Sequence, residues 1–560
     1  MGKQHGSLEV GETHHEARRV AHGVALRPRR LDWSEAQRFG VEVENASHHH
    51  LAVAQMQAQR ATRLHGGGHF IARHWEVIRR SLARTTGLFL VCFVPWAAAA
   101  GGIDVPPEGS CAPRPIQWGK EGSPPPSDVV PGAFHPGERL EIKNIPRLQG
   151  WLPDEVWQRR EQFFFEGMEL EIGPCYRRYP APAYFSDATA AGAGKAGLDG
   201  SGNLTGYSGS GLPFGLESLD VSAPDFAQRV AWDYRYRYQA AGYRGPFRVT
   251  QITKNGHDLE QYTGRFFFLP LQGVPGVDAG DRKERFAAGG TFESPETARG
   301  LAWRQFQPTA VEADWKTSDE VFVYLPDERK VRRAPPQNAE GVYVPSFTRA
   351  RSVGNIGMSM PDGQTADVGN PAIAATEPLR KGFVGLVIRP NAYEWSFGGL
   401  RDVLAPANVR AAGYPPDPSR NFGPSGLSLA SDRWDLRRAL VLEGKRKAPD
   451  GVVAGISLWV DALTLQPLYW VSRRSNTAVY EVGIFASRFS ADDRKAAQWQ
   501  GNGTDGSSSY GTMVPVAQSF TVAGEGGGWR RESYLLASEP PAGEETQDFL
   551  SVQGLQRKGH

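Results

Sequence analysis

The sequence is that of a mainly β protein with some α, and three observations predict it. Gly fills 65 and Pro 41 of the 560 positions, and both are costly inside helices, which excludes a helical bundle or coiled coil. Short runs rich in Val, Ile, Phe, Tyr and Trp, bounded by turn residues, recur through the C-terminal two thirds. No helical pattern alternates with them, which argues against a doubly wound α/β sheet. The 40% hydrophobic and 22% charged content is ordinary for a globular chain and argues against wholesale disorder. A formal net charge of +2 calls for no nucleic acid as partner.

The first hundred residues bear on the compartment. Residues 78–101 read as a signal peptide: Arg79, Arg80 and Arg84 precede an apolar stretch from Leu88 to Ala100, followed by small residues suited to cleavage. A membrane anchor is the rival reading, but such a stretch spans only about 20 Å as a helix, short of the ~30 Å hydrocarbon core. Residues 1–77 hold ten of the 13 histidines, among them His48, His49 and His50, and show no sustained periodicity. They read as a disordered or non-native extension ahead of the true start, against the alternative of a metal-chelating cytoplasmic segment. The expected location is therefore periplasmic, by way of a cleavable signal. Cleavage would remove Cys92 and leave Cys111 and Cys175, which can pair in an oxidising compartment and would then pin the N-terminal arm to the body. Spacing alone does not fix whether they do.

Residues 102–150, with Pro124, Pro125 and Pro126, read as an extended Pro/Gly-rich arm. Val156, Arg159 and Phe163 lie at helical spacing after Pro153, with Gly167 as the stop. Residues 186–215 read as a long glycine-rich connection. Strands are expected at Arg265–Leu269, Val321–Leu325, Gly382–Arg389, Ala439–Gly444, Ile456–Val460, Leu468–Ser472, Val479–Phe485, Met513–Val522 and Trp529–Leu536. Ile456, Leu458 and Val460 alternate with Ser457 and Trp459 before the turn chemistry of Asp461 and Thr464, which is the pattern of an antiparallel meander. Residues 346–380 and 400–430 read as insertions. Residues 151–545 are expected to form one domain, followed by a tail at 546–560.

Catalytic machinery is hard to find. Beyond the signal only His135, His257 and His560 remain, and each reads as a surface residue rather than a general base. The same scarcity argues against a metal site, and no cofactor is called for. Gly192, Gly194 and Gly197 match G-x-G-x-x-G but lack the strand before and helix after that the dinucleotide motif needs. The GYSGS run around Ser208 misses the nucleophile elbow by its last glycine. The expectation is a non-enzyme; a carboxylate-pair hydrolase stays open, since only spatial separation would reveal one.

One cluster stands out. Arg329, Lys330, Arg332 and Arg333 gather four cations on one extended segment. Two readings stand side by side: a site for an anionic headgroup or acidic partner, and an edge strand protected by charge.

Several segments in order, EGMELEIGPCYRRYPAPAYFSDAT, GNLTGYSGSGLPFG, VFVYLPDERKVRRAP, RWDLRRALVLEG and LWVDALTLQPLYW, resemble the proteobacterial family known as domain of unknown function 1329, often labelled outer-membrane lipoprotein-sorting protein. The resemblance spans Glu155 to Arg488. It is strongest in the GLPFG loop (Gly211, Leu212, Pro213, Phe214 and Gly215), the basic run, and Trp434 to Gly444. The continuation PQNAEGVYVP departs from the family's usual pattern. What the resemblance implies is a large incomplete antiparallel β-barrel, like that of the periplasmic lipoprotein-localisation carriers, with helices and long loops closing the opening. It implies a carrier for a lipid, a lipoprotein acyl chain or another hydrophobic molecule, working with a resistance-nodulation-division-type transporter or an outer-membrane partner. On that reading Phe266, Phe268, Phe322, Tyr324 and Trp459 are candidates for the wall of a hydrophobic cavity. A structural or docking subunit without ligand is the alternative.

Overall fold

The computed structural model describes residues 103–111, 134–253, 259–278, 280–334, 340–345, 383–410, 421–423, 426–448, 453–492, 511–522, 528–538, 541 and 543–558. The proposed extension and signal peptide lie outside these, as do His257, His560 and the insertion at 346–380. No helix among the described residues is long and apolar enough to cross a membrane.

The strands are β1 (Arg139–Leu140), β2 (Leu170–Cys175), β3 (Gly197–Leu198), β4 (Leu204–Thr205), β5 (Tyr243–Thr253), β6 (Leu259–Pro270), β7 (Glu284–Ser294), β8 (Ala302–Pro308), β9 (Glu320–Leu325), β10 (Lys330–Arg333), β11 (Tyr393–Ala405), β12 (Arg433–Arg446), β13 (Gly455–Asp461), β14 (Pro467–Arg473), β15 (Val479–Phe489), β16 (Met513–Val522) and β17 (Gly528–Tyr534). The helices are α1 (Asp154–Trp157), α2 (Arg160–Phe163), α3 (Ala183–Gly192), α4 (Phe226–Arg235), α5 (Gly543–Phe549) and α6 (Gln553–Lys558).

Fifteen strands form one sheet, and β3 and β4 pair separately. The large sheet is two antiparallel meanders, β5 to β10 and β11 to β17, joined where β17 pairs with β5. Only β2 runs parallel to a neighbour, along the start of β12. The order runs from β1 to β10 with β11 beside β12, and among the described residues β10 pairs with neither β1 nor β11, so the sheet is open: an incomplete barrel.

The two faces of the sheet are covered by different parts of the chain. On the inner face Phe247, Phe266, Phe268, Phe292 and Trp303 pack with Phe383, Leu386 and Val387. Further along the same face, Phe226, Val230 and Ala231 of α4 pack with Val384, Ile388, Leu440, Leu442, Leu458 and Phe520. The segment after residue 382 thus touches both halves. On the outer face the arm and α1–α2 bury Leu140, Ile145, Leu148, Val156 and Phe163, while Phe549 and Leu555 of α5 and α6 cover β6 to β9. Each large apolar side chain so buried contributes about 1.5–3 kcal/mol relative to exposure.

Eight of the nine expected strands fall on observed ones, most of them as parts of longer strands. The ninth, Gly382–Arg389, is corrected: from Phe383 it is a chain of turns, with the Leu386 N–H donating to the Phe383 carbonyl at 2.9 Å. Its continuous apolar character comes from filling the barrel rather than from pairing. The expected helix after Pro153 is broken into α1 and α2 at Arg159, whose ψ of 19° leaves the helical range. The connection read at 186–215 contains most of α3 and the β3–β4 hairpin. The stretch read as a tail carries α6, and Leu555 there is fully buried.

Candidate functional site

A β-strand turns alternate residues to opposite faces, and this parity separates the five cavity candidates. Phe266 and Phe268 point inward. On β9 the inward residues are Val321, Val323 and Leu325, so Phe322 and Tyr324 lie on the outer face against Leu555. Trp459 packs with the outer cluster, opposite Ile456, Leu458 and Val460. The expectation that all five line one hydrophobic cavity is therefore corrected. Nor is the inner face hollow: the Phe383 ring stacks on Phe266 with centroids 3.7 Å apart and on Tyr534 at 5.0 Å.

One cavity, of about 70 Å³, lies between α3, the loop ahead of α4, the chain just after α4, and β6–β7. Its walls include Tyr184, Tyr207, Gly211, Arg235, Tyr236, Arg237, Gln239, Phe268, Gln272, Arg285 and Phe286. That volume is far below the roughly 300–1,000 Å³ that encloses a drug-sized ligand. Of the five aromatic candidates only Phe268 reaches it.

The GLPFG loop builds one wall. Gly211 adopts φ +68°, and a Cβ there would stand 2.4 Å from the Thr189 nitrogen, so glycine is required for the loop to lie on α3. The Leu212 N–H donates to the Thr189 hydroxyl at 2.8 Å, and the Tyr207 hydroxyl donates to the Gly211 carbonyl at 2.9 Å. Pro213 and Phe214 are buried. The Phe214 N–H donates to Asp233 at 2.9 Å, and the Arg229 guanidinium lies 4.8 Å from the centre of the Phe214 ring. Burial pushes the Asp233 carboxyl up to about 7, against the pull of the backbone N–H groups of Phe214 and Gly215 and of the Arg229 charge.

Three arginines supply the charge. Arg235 is 5% exposed and donates to the Gln307 side chain; burial lowers its affinity for the proton. Arg237, 3% exposed, donates to the carbonyls of Tyr234, Gly385 and Leu386 and to Gln466. Arg285 is held by Glu312, whose Oε2 is 2.8 Å from Nη2, and by Gln272 at 2.6 Å. Burial disfavours the Arg285 charge, but the hydrogen bonds and charge of Glu312 more than offset it and hold the guanidinium above its ordinary range. Tyr236 donates to Glu312 as well, and its ring lies 4.5 Å from that of Tyr207. Arg235, Arg237 and Arg285 were not singled out in the sequence, where no motif marks them.

The basic run lies elsewhere. Lys330, Arg332 and Arg333 form β10, the end strand of the sheet, and Arg329 precedes it at φ +52°. All four are exposed, while Val331 packs on the outer face. Arg332 pairs with Glu328 at 2.6 Å and Arg333 with Glu320 at 3.1 Å. Cys111 and Cys175 form a disulfide, with Cα atoms 5.2 Å apart. No group of three or more His, Cys, Asp or Glu able to hold a metal occurs among the described residues.

No curated protein matches the sequence. Among solved structures, a domain from Vibrio parahaemolyticus named for outer-membrane lipoprotein sorting is 14% identical, with 59% of this chain and 97% of that one covered and a TM-score of 0.33. A DUF1329 family protein from Desulfovibrio piger is 11% identical over 58% and 96%, at a TM-score of 0.32. A LolA superfamily protein from Nitrosomonas europaea is 10% identical over 55% and 90%, at 0.26. Residues 143–346, which hold the GLPFG loop, α4 and the basic run, match the model of the family described as protein of unknown function DUF1329, the family that the sequence resembles.

Proposed function

We propose that the protein is a periplasmic carrier for a hydrophobic molecule, a lipid or a lipoprotein acyl chain, which takes the place of the Phe383–Ile388 segment on the inner face of the open sheet. The observation that carries this reading is the cover itself. An aromatic face that includes Phe247, Phe266, Phe268 and Phe292 is closed by two short segments, Phe383–Ile388 and Val342–Val344, rather than by a second sheet. The disulfide fits an oxidising compartment.

The ligand has to replace the apolar burial of Phe383, Val384, Leu386, Val387 and Ile388 as well as the hydrogen bonds of the segment. Lifting the segment breaks the hydrogen bonds from Tyr234, Arg237 and Gln239 to its carbonyls, each worth about 1 kcal/mol net. A ligand burying about 300 Å² of apolar surface contributes roughly 7 kcal/mol at about 25 cal/mol per Å². A transport partner of the resistance-nodulation-division type or in the outer membrane would receive the cargo, and the exposed Arg329–Arg333 edge is the surface offered to it.

The test is lipid mass spectrometry on the purified protein, together with fluorescence titration of N-phenyl-1-naphthylamine. Lipid should co-purify, and Phe383→Ala should bind the probe more tightly than the wild type. The idea fails if no lipid co-purifies and neither folded protein takes up the probe.

A second reading is favoured by the packed interior and the small cavity: a docking subunit of an envelope assembly that carries no ligand. A stable partner in a pull-down without bound lipid would select it. The carboxylate-hydrolase reading finds no Asp or Glu on the cavity walls.

A further inference from the structure

We infer that the cavity bounded by the GLPFG loop and the end of α4 is a binding site for a small oxyanion, a phosphate or carboxylate group, held by Arg235. The inference does not rest on the carrier reading, because a free anion and the head of an amphiphile share this chemistry.

Charge is the first ground. Arg235 lies on the cavity wall, is 95% buried by its 5% exposure, and has Gln307 as its hydrogen-bond partner among the described residues. No carboxylate among them lies within ion-pair distance of it. A buried cation that feels Glu312 and Asp319 only at longer range is costly, and an anion entering the cavity would pair with it directly. Arg237 likewise bonds only carbonyls and a glutamine amide. The nearest acids are already engaged: Glu312 with Arg285 and Asp319 with Arg389. Three guanidiniums thus line the space, and of these Arg285 is paired, with Glu312 outside the wall.

Size and lining agree. An apolar cavity of about 150 Å³ takes a benzene, so the 70 Å³ here suits a group no larger than phosphate or carboxylate. The walls add the side chains of Tyr238, Gln239 and Gln272, whose hydroxyl and second amide hydrogens suit an oxyanion. Gly209, at φ +94°, leaves open the space beside Arg285, where a Cβ would stand 2.5 Å from Nη1.

Thermal unfolding of the purified protein would be followed against inorganic phosphate, acetate and monododecyl phosphate, each compared with sodium chloride at equal ionic strength. Phosphate or acetate should raise Tm saturably beyond chloride. Arg235→Met should weaken that binding by about tenfold or more, as expected for a lost charge-assisted hydrogen bond, while Arg235→Lys retains part of it. Should Arg235→Met fail to fold, Gln272→Glu, which places a carboxylate in the cavity wall, should abolish anion binding in a folded protein. Equal affinity for phosphate and monododecyl phosphate identifies a free anion as the ligand. Much tighter monododecyl phosphate identifies an amphiphile head. The site is refuted if no anion exceeds matched chloride, or if Arg235→Met and Gln272→Glu bind as the wild type does. Absence of co-purifying lipid together with no uptake of the naphthylamine probe would overturn the carrier reading and leave this one standing.

Discussion

The Phe214 N–H and the Asp233 carboxylate, 2.9 Å apart, tie the GLPFG loop to α4 through a fully buried acid. Its second oxygen, Oδ2, has no hydrogen-bond partner among the described residues.

That acid should make stability depend on pH. Burial raises Asp233 from an ordinary 3.8 to about 7 in the folded chain. Its contribution is therefore complete below about pH 4 and is lost as pH rises through 7, because the unfolded chain gives up the proton first. Asp435, raised to about 6, acts in the same direction. Asp233→Asn should remove its share, so the Tm difference, variant minus wild type, should grow between pH 4 and 8. A difference flat across that range would contradict the assignment.

Arg437 and Asp461 form a buried pair, 2.6 Å apart, at 0% and 2% side-chain exposure. Arg437 also donates to the Arg177 carbonyl at 2.6 Å. Arg437→Met should cost about 3–5 kcal/mol by stranding Asp461, whereas replacing both with apolar residues should cost much less. Urea unfolding of the two single variants and the double variant measures the coupling.

Reduction of Cys111–Cys175 should destabilise the protein. The bond spans a sequence separation of 64, and releasing such a loop costs about 2–4 kcal/mol. Replacing both cysteines with serine should lower Tm, and dithiothreitol should then have no further effect. Non-reducing peptide mapping by mass spectrometry checks the pairing itself.

Charge reversal at Arg332 and Arg333 should leave the fold intact. Their ion pairs with Glu328 and Glu320 are largely exposed, and such pairs are worth about 0–1 kcal/mol. If β10 receives a partner, the reversed variant should lose that partner in a pull-down at unchanged Tm. Undiminished capture would leave the run as a protected edge.

How far the sequence could be read follows from the physics of each element. Met513–Val522 was legible to the residue because its β-rich run is bounded by Gly511 and Gly524. Helix α4 was not, because its polar residues Asp233 and Arg235 are buried together with Phe226, Val230 and Trp232, so that polarity does not mark its exposed side. Phe266 and Phe322 look alike as members of aromatic runs, and only the register of β6 and β9 puts them on opposite faces. The cavity arginines were invisible for a different reason. Arg235 on α4 and Arg285 on β7 are brought together by topology alone, whereas the basic run that is conspicuous in the sequence lies on the solvent edge.

The join between the meanders sets the order in which the chain can be completed. Strand β5 receives its second neighbour only when β17 arrives, with Phe247 opposite Tyr534, and β2 waits in the same way for the start of β12. During synthesis the long edge of β5 therefore stays bare until β17 has been made, a liability for strand-to-strand aggregation. Such a chain gains by being kept unfolded until it is whole, and a nascent fragment that ends before Gly528 should be insoluble however complete its first meander.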